Sequence, residues 1–297
     1  MKRVGIIRGG EGENYDFSLV KGGNLISCIF ENLGDKYKVL DILVDKEGVW
    51  HIGGVPIIPS DLIHQVDVVW NAAHHGISSI LDQLSIPRIS TSVFSSILED
   101  NHEKLALHLK SLNVKMPRKI VFPVYQIDFD GDVEKYVIKK AKEVHQKFGA
   151  PWVVKTYTED KSMGVHVANT FPELVRALED GVHHRKSILV EEFISDKSVS
   201  VHSVAGFRGE DVYVFPPNNL SKDNKEKLIS LMKDLHAHLG AEHYLKADFI
   251  IHPRRGILIT NISFSPDLTN NSHLAENCES VGAKMHHIVE HILERVL

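Results

Sequence analysis

The chain has 297 residues, of which 43% are hydrophobic and 25% charged, with a formal net charge of −5. That length is more than one compact core usually carries, so two or three domains are expected. The acidic balance argues against a general nucleic-acid or polyanion binder, and the composition is that of an ordinary soluble globular protein.

The first element is "KRVGII", a short buried strand, followed by the glycine loop Arg8-Gly9-Gly10-Glu11-Gly12. "DFSLVKGGNLISCIFENLG" has helical periodicity and closes at Gly34. "YKVLDILVD" and "VDVVWNAA" read as strands, "ILDQLSI" as helix and "PRIST" as the start of another strand. This strand–helix alternation predicts a parallel sheet with helices on its faces. Residues 93 to 115 read as a single helix. Short strands then follow at "RKIVFPVYQ", "APWVVKTY", "MGVHVANT" and "SILVEEFIS", around the helices "DVEKYVIKKAKEVHQKFG" and "FPELVRALEDG". The last third holds the strands "KSVSVHSVAGF", "EDVYVFPP", "YLKADFIIHP" and "GILITNISFSP", and the helices "NKEKLISLMKDLHAHLG" and "VGAKMHHIVEHILERVL". Mixed order with antiparallel meanders predicts two further subdomains, α+β in character. No internal repeat or low-complexity tract is present.

The 19 histidines are dispersed, without HExxH or a His/Cys array of zinc spacing, so they are not read as a metal site. With only Cys28 and Cys278, far apart, a reducing cytoplasm fits better than a disulfide framework. The apolar run in "MKRVGIIRGG" is too short for a signal peptide, and no apolar run is long enough to span a membrane.

Five pieces, in order, carry a resemblance that covers nearly the whole chain. They are the Gly9-Gly10 turn with "FSLVKGG", "PWVVK" before a loop ending in "SMGV", "ILVEEFI", "LKADF" and "SPDLT". Together they resemble the D-alanine–D-alanine ligases, a family of ATP-grasp enzymes. The resemblance implies an N-terminal α/β domain (1–92), a central ATP-grasp subdomain (93–186) and a C-terminal one (187–297), with ATP gripped between the last two. It also implies a homodimer through the N-terminal domain. In such ligases a carboxylate attacks the γ-phosphate of ATP, and an amine then displaces phosphate from the acyl phosphate. The triphosphate therefore needs Mg2+, a lysine and backbone donors from a small-residue loop.

By resemblance, Lys155 is the phosphate lysine, Glu191 faces the adenine amino group, and the backbones of Glu192 and Ile194 bond the ring. Ser162 and Gly164 remain in the phosphate loop, but Asp160 and Lys161 stand where the family has glycine and serine, and a carboxylate there would crowd and repel phosphate. His102 replaces a nucleotide-contacting lysine, and Ser198 a ribose-binding acid. Asp248 matches the first metal ligand. Counting back from Pro266, Asn261 takes the place of the bridging glutamate and Ser263 that of the asparagine. Two dications would thus meet one carboxylate.

On the substrate side, Asp16 stands for the glutamate that anchors the first amino group, about 1.5 Å shorter in reach. Lys246 stands for the arginine that stabilises the tetrahedral intermediate, keeping its charge but losing the two-pronged donor. Ser272 matches a contact to the second substrate's carboxylate. "GFRGEDVYVFPPNNL" is too short for the tyrosine-bearing lid that shields an acyl phosphate from water.

Two functions follow. The first is a weak or inactive ligase-like protein acting as a binding or scaffold subunit, with a protein or small ligand as partner. The second is an active ATP- and Mg2+-dependent carboxylate–amine ligase using a small amino acid or dipeptide, in which Lys155, Asp248 and Lys246 align phosphate, bind Mg2+ and stabilise the intermediate. A dehydrogenase is disfavoured, because Gly9, Gly10 and Gly12 do not make GxGxxG and Glu11 and Glu13 would repel pyrophosphate.

Overall fold

A computed structural model describes residues 1–11, 14–129, 131–157, 163–196 and 198–297. Gly12, Glu13, Asp160, Lys161 and Ser162 lie outside the described residues.

The N-terminal sheet is built from β1 (Lys2–Gly9), β2 (Tyr37–Val44), β3 (Trp50–Ile52), β4 (Val55–Ile57), β5 (Val68–Asn71) and β6 (Arg88–Ile89), in the order β4-β3-β2-β1-β5-β6. β1 runs parallel to both β2 and β5, and β5 parallel to β6. The expected parallel sheet is therefore present, with the β3–β4 hairpin added antiparallel at its edge. The run Val4 to Ile7 is buried on both faces, as a central parallel strand requires. α1 (Tyr15–Asn32) and α2 (Gly76–Gln83) follow strands, and α1 ends before Gly34.

The single helix read over 93 to 115 is two helices, α3 (Val93–Asp100) and α4 (His102–Ser111). The break is at Asn101, whose backbone is extended and whose side chain accepts from the Lys104 N–H as the N-cap of α4. Asparagine satisfies a helix-start donor from an extended conformation, and this local option outweighs the continuous apolar pattern.

The second sheet comprises β7 (Lys119–Phe122), β8 (Trp152–Thr156), β9 (Val165–Ala168) and β10 (Ile188–Glu192), ordered β7-β10-β8-β9 and antiparallel throughout. β10 pairs with β7 and β8, so it belongs to this sheet rather than to a segment beginning at 187. The short α5 (Tyr125–Asp128), α6 (Val133–Lys147) and α7 (Phe171–His183) accompany it. The third sheet holds β11 (Ser198–Ala205), β12 (Val212–Val214), β13 (Tyr244–His252) and β14 (Gly256–Ser263), ordered β12-β11-β13-β14. α8 (Lys222–His238), α9 (His273–Ser280) and α10 (Met285–Val296) complete the chain.

Two compact units result. One gathers Met1–Val114, Ser198–Phe249 and Ile259–Leu297; the other gathers Lys115–Lys197 and Ile250–Leu258. In the first, Val4, Ile6, Leu25, Ile29 and Trp70 share a core with Val204, Phe215, Tyr244, Leu274, Ile288 and Ile292. In the second, Ile120, Phe122, Trp152, Val154, Ile188 and Val190 pack with Tyr136, Val137, Ala141 and Val144 of α6 and Leu174, Ala177 and Leu178 of α7.

Replacing the α4 cap should show its worth. Asn101→Ala is expected to lower unfolding free energy by about 1 kcal/mol in urea titration, the usual cost of a lost N-cap side chain.

Candidate functional site

In an antiparallel pair, directly opposed residues share a face. The register of the second sheet therefore sorts its side chains into two sets. Ile120, Phe122, Ile188, Val190, Trp152, Val154 and Ala168 point to α6 and α7. The other face carries two rows: Lys119, Glu191, Val153 and Val167, then Val121, Leu189, Lys155 and Val165. This is an apolar floor with one acid and two bases set into it. Val121, Val165 and Val167 are 39%, 67% and 49% exposed.

Glu191 is the electrostatic centre of that face. Lys155 Nζ lies 2.6 Å from Oε1 and Lys119 Nζ 3.4 Å from Oε2. The Lys155 approach lies outside hydrogen-bond directionality, so it acts on the carboxylate as an ion pair. Burial alone would raise the Glu191 pKa, but Lys119 and Lys155 outweigh it and hold the group below the usual carboxylate range. Lys119 escapes a sequence reading because only the β7–β10 register places it against Glu191. Its one signal is a charge inside the alternating strand "RKIVF".

Glu192 points elsewhere. Its carboxylate takes Arg118 Nη2 at 2.8 Å and Arg255 Nη1 at 3.1 Å. The hydrogen bonds from Arg118, against a smaller burial penalty, and with help from Arg255, bring its pKa down to about 2. The Glu192 N–H donates to Arg118 O at 2.9 Å, so sheet pairing uses that donor. Ile194 is half-buried just beyond β10.

The first unit holds the other group of expected residues. On β13, Tyr244, Lys246 and Asp248 alternate onto one face, while Leu245, Ala247 and Phe249 are fully buried on the other. Asp248 Oδ1 accepts from Ser200 Oγ at 2.6 Å, and Oδ2 lies 3.2 Å from Lys246 Nζ. Deeper on this face, His202 Nδ1 bonds Tyr244 Oη at 2.7 Å, while its Nε2 is buried without a hydrogen-bond partner. Burial first, then Lys246 and His273, push the His202 pKa down to about 3, so the ring is neutral. Asn261 and Ser263 sit two apart on β14, both half-buried. Among the described residues no three His, Cys, Asp or Glu side chains group as metal ligands.

The remaining positions are separate. Asp16 is exposed in the first turn of α1. Ser272 is buried as the N-cap of α9, accepting from the Ala275 N–H at 3.2 Å. Tyr213, the tyrosine nearest the expected lid position, packs edge-on against Phe207 and Phe215.

Residues 122–207 match the family model described as the D-alanine–D-alanine ligase C-terminus. The D-alanine–D-alanine ligase of Halalkalibacterium halodurans is 23% identical over 97% of both chains. The crystal structure of D-alanyl-alanine synthetase A from Vibrio cholerae superposes with a TM-score of 0.73 at 16% identity, covering 99% of this chain and 98% of that one.

Over nearly its whole length the chain is similar to D-alanine–D-alanine ligases.

The Bacillus anthracis D-alanine–D-alanine ligase, solved in complex with ATP, has the same fold, with a TM-score of 0.70 at 18% identity over 99% of this chain and 96% of that one. Among the described residues no helix is long and apolar enough to cross a membrane.

Two outcomes test the ion pairs. Glu191→Ala strands Lys119 beside a vacated carboxylate site and is expected to cost about 3–5 kcal/mol in chemical denaturation, less when combined with Lys119→Met. Glu192 has a depressed pKa, so its contribution is present above the ordinary value of 4.5 and is lost as pH falls through about 2. Glu192→Gln should therefore melt below wild type at neutral pH, and differential scanning calorimetry should show the gap closing in acid.

Proposed function

We propose that this protein binds ATP on the face of its second sheet that carries Lys155 and Glu191 and turns it over poorly, as a ligase-like binding protein. Support for the nucleotide comes from the apolar floor of Val121, Val153 and Leu189, with Lys155 at its edge. A flat apolar surface beside a fixed ammonium suits a base with a phosphate tail. Lys155 and Glu191 would hold the nucleotide, and Lys155 would meet a phosphate if it exchanged its carboxylate for one.

Support for weak turnover comes from one observation above the others. Both oxygens of Asp248 are already engaged by Lys246 and Ser200. The neighbouring positions Asn261 and Ser263 supply no charge. Mg2+ leans on carboxylates, and a set of one occupied carboxylate with two neutral groups does not fit it. A protein partner or a homodimer would give such a binding subunit its use.

The second reading is an active carboxylate–amine ligase, favoured by the retained Lys155–Glu191 pair and by Lys246 standing where the intermediate's cation is needed. Malachite-green phosphate release over a panel of amino acids and dipeptides separates the two. We expect ATP to raise the melting temperature and Lys155→Ala to abolish the shift. Turnover is expected about three orders of magnitude below an active relative assayed alongside, the several kcal/mol that a metal Lewis acid supplies. Robust turnover stimulated by an amino acid would establish the second reading instead.

A further inference from the structure

The metal misfit at Asp248 has a positive side. The ammonium of Lys246 sits 3.2 Å from Oδ2, and the Ser200 hydroxyl donates to Oδ1 at 2.6 Å. A carboxylate so paired is electrically neutralised, and a dication approaching it would meet Lys246 first. Lys246 is carried by the same strand face as Asp248, two residues away, and is 26% exposed along its side chain. It is thus a cation fixed by covalent attachment at the place where a metal would be held.

The β14 positions point the same way. Replacing a glutamate by Asn261 makes the local charge one unit more positive than the family pattern. It also exchanges a pure acceptor for a group with two N–H donors, while the Ser263 hydroxyl donates to Ser265 O at 3.4 Å. Acceptor oxygens serve a metal, while donors and an ammonium serve an anion directly. The floor beneath is polar but occupied: His202 and Tyr244 bond each other at 2.7 Å and bring no carboxylate.

We infer that Lys246 replaces the divalent cation at Asp248, so that this face of the third sheet takes a polyphosphate-type anion without Mg2+. The inference rests on the proposed nucleotide-binding reading for its ligand class but makes a separate claim about the cation.

The test uses full-length protein with two probes. Mn2+ alone is titrated by electron paramagnetic resonance, and no bound ion is expected up to about 1 mM, the weak end of oxygen-ligand sites. Inorganic tripolyphosphate is titrated calorimetrically in EDTA. It is expected to bind, to bind at least about tenfold more weakly in Lys246→Met, and to recover in Lys246→Arg. Asp248→Asn, which releases Lys246 from its partner, is expected to bind at least as tightly as wild type. Any of three results overturns the inference: a Mn2+ site that disappears in Asp248→Asn, tripolyphosphate binding that requires Mg2+, or binding absent or indifferent to Lys246→Met. Failure of the nucleotide reading is distinct, because ATP then gives no thermal shift while tripolyphosphate still binds. If only the present inference fails, ATP still stabilises the protein and Lys155→Ala still removes that effect.

Discussion

The register of the second sheet is the constraint on which the rest of the site depends. Side chains alternate across a strand, so a slip by one residue would exchange the two faces. Lys119, Glu191 and Lys155 would then enter the core against α6 and α7, and Ile120, Val190 and Val154 would face outward. The apolar core forbids this, because three charges cannot be buried there without partners. Packing on the helix side thus sets the chemistry of the opposite side. The residues that choose the register are not the residues that carry charge.

The two sheets bearing candidate residues are built differently. On the second, Lys155 and Glu191 form an ion pair on an otherwise apolar face. On the third, charge and hydroxyl are matched within one face. Lys246, Asp248 and Ser200 satisfy one another, and an internally satisfied triplet is stable without any guest. The fold can therefore be kept by core residues such as Leu245, Ala247 and Phe249 while the exposed face changes its clientele.

Much of this was legible in the sequence. The N-terminal parallel sheet followed from strand–helix alternation. The β3–β4 hairpin was not, because strands of three residues leave almost no periodic signal. The split at Asn101 was hidden by apolar spacing that continues through the break. Lys119 and Ser200 were invisible for a different reason: their importance comes from partners 72 and 48 residues away, which only pairing reveals. The role of Ser272 at the start of α9, where its hydroxyl accepts from the Ala275 N–H, is a local one that its motif does not display.

The burial of Lys119 against Glu191 also bears on how this lineage can change. Glu191 is held as a buried charge by Lys119 and Lys155 together, so loss of either lysine weakens its compensation. Drift cannot erase them one at a time without crossing a poorly folded intermediate. Lys155, 39% exposed along its side chain, keeps access to water and so depends less on Glu191 than the buried Lys119 does. Among descendants, then, the half-exposed lysine should vary before the buried one, while the hidden pair persists as a fossil of the scaffold. In this protein the persistence of a charged residue is a record of folding history and, by itself, says little about use.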